Sequence, residues 1–407
     1  MGGVFMKRIK AVIGANFGDE GKGLMTDYLA YQCKDGVVVR FNGGAQAGHT
    51  VTTPEGLRHV FGHVGAGTLV GLPTYLSRFF VVNPMLYIKE IAALKGLGVT
   101  PQVYMDKACM ITTPYDIMLN QIAEISRGTQ KHGSCGVGFN ETITRCLYAD
   151  DYAIHVADLA DELLLMEKLY AIRDDYMPLR LKALGIQTVP ERYEALLRID
   201  GIIKAFMADA RFMLEAVAVT DLNVLSPYGS ILFEGAQGLL LDQDHPFFPH
   251  VTRSSTGMKN VAELLSEMGY HNEDTGVIYI TRAYMTRHGA GPFPTELPEK
   301  PYPRIEDRTN VPNPYQDALR YGLLDLSALA DTISKDLKHT GKLKQCRVKL
   351  AITCLDQLED KIDYFYHGKR MQETIDAFIE STFKALGLKD GYLSYGPTRA
   401  TVKVMKL

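Results

Sequence analysis

Two stretches of the sequence place titratable side chains among glycines. The first runs Gly14-Ala15-Asn16-Phe17-Gly18-Asp19-Glu20-Gly21-Lys22-Gly23. Glycines let backbone N–H groups approach phosphate oxygens, and a lysine among them can neutralise a transferring phosphoryl group. A Walker A loop spaces such residues as G-x-x-x-x-G-K-[ST]. Gly21 and Lys22 fit that pattern, but Asn16 stands at the first glycine and Gly23 at the hydroxyl. Asp19 and Glu20 put carboxylates where polyphosphate would lie. A carboxylate there can hold Mg2+, or take a proton from an acceptor as a general base. The second stretch, Asn42 to Thr50, reads NGGAQAGHT and carries His49. Histidine can act as an acid or stabilise a developing oxyanion near neutral pH. A carboxylate base with a histidine acid suits activation of an oxygen nucleophile by proton removal. Taken singly, the first loop also reads as a solvated turn, and a histidine beside glycines is more often structural. Phe233–Gly238, Pro249–Gly257, Thr286–Glu296 and Ser394–Arg399 are further candidate loops that singly read as tight turns.

The elements around these loops follow an α/β rhythm. Ile9–Gly14 predicts a buried strand, Met25–Cys33 a helix and Gly36–Phe41 a second strand. Both glycine loops therefore follow strands, at the strand ends where α/β sheets place ligands. Arg78–Pro84 and Val103–Asp106 predict further strands, and Asp158–Ala218 turns helical with charged faces. Ser230–Gly238, Gly276–Arg287 and Val348–Gln357 resume the strand-then-loop pattern, while the proline-rich Pro301–Gln316 predicts an irregular loop. The chain reads as one continuous domain over 1–407 with a mainly helical insertion at about 158–218.

Composition narrows the function class. The chain is 46% hydrophobic and 22% charged, an ordinary globular balance. A net charge of −3 provides no basic field for nucleic acid. Six cysteines without a C-x-x-C pair suggest reduced thiols and a cytoplasmic setting. No apolar run approaches the ~20 residues of a membrane span, and the N-terminus runs into a strand without the pattern of a cleavable signal.

Together the segments GDEGKG, GGAQAGHT, FEGAQGLLLDQDH, TRHGAGPFPTE and SYGPTR resemble, in this order, the adenylosuccinate synthetases. The resemblance runs from about Ala11 to Arg399 and is strong in these islands. It implies a mostly parallel central sheet with flanking helices, related to the P-loop NTPases, and a homodimer. It implies a ligase joining IMP to L-aspartate with GTP and Mg2+ through a 6-phosphoryl-IMP intermediate. Asp19 would take the N1 proton of IMP and ligand Mg2+, with the Gly48 carbonyl completing the metal shell. His49 would act as acid, and Lys22 would meet the phosphates. The triphosphate would be held by Gly18, Glu20, Gly21, Lys22, Gly23, Gly48, Thr50, Asp356, Ser394, Gly396 and Pro397. IMP would be held by Asp19, Gln46, Ser134, Cys135, Gln237, Thr252 and Arg145, the last reaching the partner subunit's nucleotide.

The sequence departs from the family's pattern in four places. The GTTG loop is Gly133-Ser134-Cys135-Gly136, which removes one hydroxyl. The guanine-reading TKLD is Thr353-Cys354-Leu355-Asp356, which keeps the carboxylate and loses the lysine. Gln46 stands for an asparagine. The arginine-rich loop that binds aspartate is replaced by NVPNPYQDALRYG, leaving Asn313, Gln316 and Arg320, with Arg287 or Arg253 as possible support. Two other readings follow. One is a phage-type 2-aminoadenylosuccinate synthetase acting on GMP or dGMP with ATP or GTP, favoured by Cys354 and by Gly396–Thr398. The other is a purine-nucleotide-binding regulator without turnover. Asp19 favours IMP over the phage type, and the joint presence of Asp19, Lys22 and His49 argues against the regulator.

Overall fold

A computed structural model describes residues 7–307, 318–341 and 343–407. Its centre is a ten-stranded sheet. In chain order the strands are β1 (Arg8–Gly14), β2 (Gly36–Arg40), β3 (Thr74–Leu76), β4 (Val103–Asp106), β5 (Ala218–Thr220), β6 (Ser230–Gly238), β7 (Asp274–Arg282), β8 (Cys346–Thr353), β9 (Asp390–Ser394) and β10 (Val402–Lys406). Their spatial order is β10-β9-β8-β7-β1-β6-β2-β3-β4-β5. All neighbouring pairs are parallel except β9 with β10. The expected mostly parallel α/β sheet is present.

The central strands are apolar on both faces because both are covered. On one face of β1, Ile9, Ala11 and Ile13 pack with Met258, Val261 and Leu264 of the helix Met258–Glu267. On the other, Val12 packs with Leu24, Met25 and Leu29 of the helix Lys22–Tyr31. That helix begins at Lys22, so the first glycine loop feeds directly into it. The crossover from β4 to β5 is long and helical, with helices from Pro114–Arg127 to Asp200–Glu215 around a second apolar cluster. A smaller sheet forms from Tyr284–Arg287, Glu296–Leu297, Arg320–Asp325, Lys361–Tyr366 and Lys369–Thr374. His49–Thr52 and Arg58–Phe61 form a separate hairpin.

One predicted strand is misplaced. Arg78–Pro84 holds only isolated bridges at Val81 and Val82, and the strand is Thr74–Leu76 just before it. The apolar run serves as a buried plug, with Phe80 fully covered. Asn83 and Pro84 then start a helix rather than extend a strand. The Asn83 side chain accepts from Leu86 N at 3.2 Å, and Pro84 occupies the first turn, where its missing N–H costs nothing.

Helix Pro84–Gly96 also carries Glu90, which pins the hairpin's return to the sheet. Its carboxylate accepts from the amides of Gly62, His63 and Val64 at 3.0, 2.7 and 3.2 Å, and the His63 ring lies 3.2 Å away. Burial opposes the charge, but the His59 and His63 rings and these amides outweigh it and bring the carboxyl down to about 2. The folded value lies below the ordinary 4.5, so the unfolded chain takes the proton first. The resulting stability, about 3 kcal/mol, is present above pH 4.5 and lost as pH falls towards 2. Denaturant titrations should therefore show Glu90→Gln destabilised by roughly 2–3 kcal/mol at pH 7. The difference should shrink steadily below pH ~4.5. A pH-independent difference would assign the loss to packing alone.

Candidate active site

Three loops converge at the carboxyl ends of β1, β2 and β6. The loop after β1 turns sharply: Gly18, Asp19 and Gly21 all adopt left-handed conformations, with φ of 97°, 62° and 99°. A non-glycine residue there is uncommon and strained. The strain is held by Glu20. Its carboxylate turns inward and accepts from the amides of Asn16 and Gly18 at 3.0 and 2.8 Å. It also pairs with Lys22 Nζ at 3.0 Å, both side chains being buried. The carboxylate of Glu20 is thus an organiser of the loop. Thr353 Oγ1 donates to the Glu20 carbonyl at 2.6 Å and ties the loop to β8.

Close backbone contact joins this loop to the other two. A side-chain carbon on Gly23 would lie 2.7 Å from the Thr50 carbonyl and 3.1 Å from the His49 backbone. The hydroxyl residue of a Walker loop would not fit, which accounts for the glycine. A side-chain carbon on Gly238 would lie 2.2 Å from the Asn16 carbonyl, which also accepts from Leu240 N at 3.0 Å. Asn42 locks the second loop to the third: its side chain donates to Ala236 O at 3.1 Å and accepts from Ala236 N at 2.7 Å.

The two titratable groups end in opposite environments. His49 Nδ1 lies 2.6 Å from Glu234 Oε1, and Glu234 Oε2 accepts from Ala66 N at 3.0 Å. Burial lowers the His49 ring's affinity for a proton, against the pull of Glu234. Burial opposes the charge on Glu234 too, but His49 and Arg40 hold its carboxyl below the ordinary range. The resting pair is therefore a neutral imidazole that donates Nδ1–H to a carboxylate, leaving Nε2 without a partner. Asp19 remains partly exposed, with Oδ2 3.3 Å from His288 Nε2. Burial works against its charge, but His288, Arg282 and Lys22 outweigh it and keep the carboxyl low. Asp19 is an ionised base at neutral pH.

The remaining expected contacts fall into distinct places. Gln46 and Gln237 flank Gly43, with both polar ends of Gln46 and Oε1 of Gln237 buried and unpartnered. Gly48 is exposed beside His49, and Thr50 follows on the hairpin. Ser134 Oγ accepts from Asn120 Nδ2 at 2.8 Å. Ser134 and Cys135 sit in a loop pressed against Gly289, so Gly133 leaves room for the crossing backbone. Thr252 N donates to Leu241 O at 2.9 Å. Asp356 and Pro397 are exposed, and Ser394 Oγ donates to Gly396 O at 2.9 Å, at the ends of the paired strands β8 and β9.

Arg145 requires correction. It is fully buried, with Nε and Nη2 on Asp116 at 2.8 Å each and further bonds to the carbonyls of Ile111 and Tyr152. It fastens its helix internally and does not project as an arm to a partner. Arg320 is similarly committed: its guanidinium pairs with Glu296 and donates to the Gly289 and Gly291 carbonyls at 3.1 and 3.0 Å. It lines a cavity of about 490 Å³ with Gly291, Leu297 and Tyr321, but its fork is already engaged. Arg287 is buried with both terminal nitrogens on the carbonyls of His250, Ala290 and Pro292, and its Nε has no partner. Arg253 donates to Thr144 Oγ1. Asn313 and Gln316 lie outside the described residues.

Three residues of the site were not singled out from sequence. Glu234 carried a signal, since a carboxylate within an apolar parallel strand needs a partner. His288 lay within the candidate stretch Thr286–Glu296 without a role of its own, and Arg282 carried no signal, because their approach to Asp19 depends on tertiary placement.

Comparison with known proteins converges on one family. The profile described as adenylosuccinate synthetase matches residues 11–385. The adenylosuccinate synthetase of Xylella fastidiosa (strain M12) is 33% identical over 378 residues, covering 89% of this chain and 81% of that protein. That of Clostridium perfringens (strain 13 / Type A) is 38% identical over 301 residues, covering 70% and 65%. Among solved structures, fully ligated adenylosuccinate synthetase from Plasmodium falciparum superposes with a TM-score of 0.73 at 20% identity, covering 98% of this chain and all of that one. The succinoaminodeoxyadenylate synthetase of cyanophage S-2L, bound to dGMP and to dATP as an energy donor, gives 0.60 at 15% identity over 98% and 96%. These two likenesses concern the fold.

The contact at Gly23 makes a direct test of the loop packing. Gly23→Ala puts a methyl against fixed backbone of the His49 strand, so the helix must shift. Overpacking of this kind costs roughly 1–3 kcal/mol. Chemical denaturation should register that loss, whereas an alanine variant as stable as the parent would mean that the contact is soft.

Proposed function

The chain belongs to the adenylosuccinate synthetase family, ligases that form a C–N bond, and on that premise we propose that it condenses IMP with L-aspartate at the expense of GTP. The observation that carries the reading is the ionised Asp19 held in a strained phosphate-type loop whose following helix packs, at Gly23, on the backbone of His49, the partner of Glu234. Asp19 accepts the N1 proton of the purine, and the electron pair moves onto O6. O6 attacks the γ-phosphorus, and the bond from that phosphorus to the β,γ-bridging oxygen breaks. The aspartate amine then attacks C6, and inorganic phosphate leaves with O6.

His49 is neutral at rest, with Nε2 unpartnered. An anionic phosphoryl group nearby favours its protonated form, and Glu234 is the counter-ion that the buried imidazolium needs. Lys22, poised on Glu20, supplies positive charge to the phosphates. Gln46 and Gln237 offer buried, unpartnered amide atoms to the purine nucleotide, which suits a polar ligand.

Mg2+ fits the donor set. Among the described residues no group of three or more His, Cys, Asp or Glu could hold a metal alone. Mg2+ usually takes one or two carboxylates together with substrate phosphates and water. Asp19 and the Gly48 carbonyl would hold it, and when bound it neutralises phosphate charge. A homodimer in the cytoplasm is part of this proposal, without Arg145 as the crossing arm. No described helix is long and apolar enough to cross a membrane.

A second reading has its own support. Cys354 replaces the guanine-reading lysine, and the fold is shared with the cyanophage protein that takes dGMP and dATP. Product mass should therefore be measured over IMP, GMP and dGMP, with GTP and ATP, with and without L-aspartate. Adenylosuccinate from IMP and GTP is expected to be the major product, and dominance of a 2-amino product would establish the second reading. Asp19→Asn should lose at least ~10²-fold in kcat while IMP still binds, because an amide cannot take the proton. Full turnover in that variant would remove Asp19 from the mechanism.

A further inference from the structure

Arg282 closes β7 at its carboxyl end, between two loops of the site. The register pairs Ile280 with Gly14 of β1 and Arg282 with Thr353 of β8. Arg282 therefore stands between the Gly14–Gly21 loop and the Thr353–Asp356 loop. Side chains alternate along a strand. Ile278 and Ile280 pack with Leu24 and Met25, so Arg282 continues the face from which the helix beginning at Lys22 rises.

The guanidinium is only partly used. Nη1 donates to Tyr284 Oη at 3.2 Å, and Tyr284 Oη donates to Gln357 Oε1 at 2.5 Å. Gln357 N in turn donates to the Cys354 carbonyl at 3.1 Å. Nε is buried with no partner. A guanidinium carries five donors in a rigid fork suited to phosphate, and the charge of this one reaches Asp19 in the loop after β1.

We propose that Arg282 binds the phosphate chain of the nucleoside triphosphate, and that Tyr284 and Gln357 tie this contact to the loop that meets the donor's base. The proposal rests on the ligase reading above and adds a donor-binding residue to it. Positive charge between the two loops gives the triphosphate a contact at the carboxyl end of β7, on the sheet face that the Lys22 helix covers. The link through Tyr284 and Gln357 would couple a phosphate contact at Arg282 to the Thr353–Asp356 loop. The carboxylates of the amine substrate are the competing occupant, and the test separates the two.

The measurement is the Kd of a fluorescent GTP analogue for wild type, R282M and R282K, together with the KM values of GTP, IMP and aspartate. A lost charge-assisted contact corresponds to about 10-fold or more in donor Kd. R282M is expected to weaken GTP by that factor, to leave IMP within about 3-fold, and R282K to recover part of the loss. Y284F keeps the charge and cuts the link, so it should weaken GTP several-fold and narrow any preference over ATP. If R282M does not fold, R282Q carries the same expectation. An unchanged donor Kd in a folded Arg282 variant would overturn the proposal, as would a loss confined to the KM of aspartate. Wild-type protein that binds no triphosphate would overturn the ligase reading itself.

Discussion

Backbone contact without side chains is the constraint on which the site depends. Gly23 and Gly238 stand where even one carbon would strike a neighbouring carbonyl, at 2.7 and 2.2 Å. They let the loop after β1 lie directly against the loops after β2 and β6. Without that approach the loops that carry Asp19 and His49 would not meet. Parallel sheets gather loops at one end, but they do not by themselves bring them into contact. Glycine does so here, and Glu20 and Asn42 then fix the loops with hydrogen bonds made inside the protein.

Two contrasting electrostatic environments meet across this contact. Asp19 is partly exposed, surrounded by cationic groups, and ionised. His49 is buried, and its protonation is set by that burial against the pull of Glu234. A base ready at rest and an acid armed by its substrate suit a reaction that first removes a proton and then moves a phosphoryl group. The same logic explains why Lys22 is paired with Glu20: a buried ammonium needs a charged partner.

Much of this was legible in the sequence, and the reasons differ by element. The strand-then-glycine rhythm located the loops after β1, β2 and β6, because period and turn chemistry are local. Asp19 and His49 were readable because their residue types are unusual among glycines. Glu20 was read as a ligand contact, but its side chain serves the loop, since which carboxylate turns inward depends on three-dimensional strain. Arg145 was read as reaching the partner subunit's nucleotide, and Asp116 on a neighbouring helix captures it. Arg320 looked like a substrate fork, and Glu296 from the adjacent strand occupies it. Long cationic side chains have many possible partners, and sequence spacing does not choose among them. The Arg78–Pro84 run failed for another reason: short apolar segments fill a core equally well as strand or plug.

The central claim is that O6 of the purine becomes a phosphoryl acceptor and leaves as phosphate. IMP labelled with ¹⁸O at C6 tests it directly. Turnover with GTP and aspartate should deliver the label to inorganic phosphate, one ¹⁸O per phosphate, with none retained in the nucleotide product. Unlabelled phosphate accompanying adenylosuccinate would contradict the account, because the amine would then have displaced O6 without its phosphorylation.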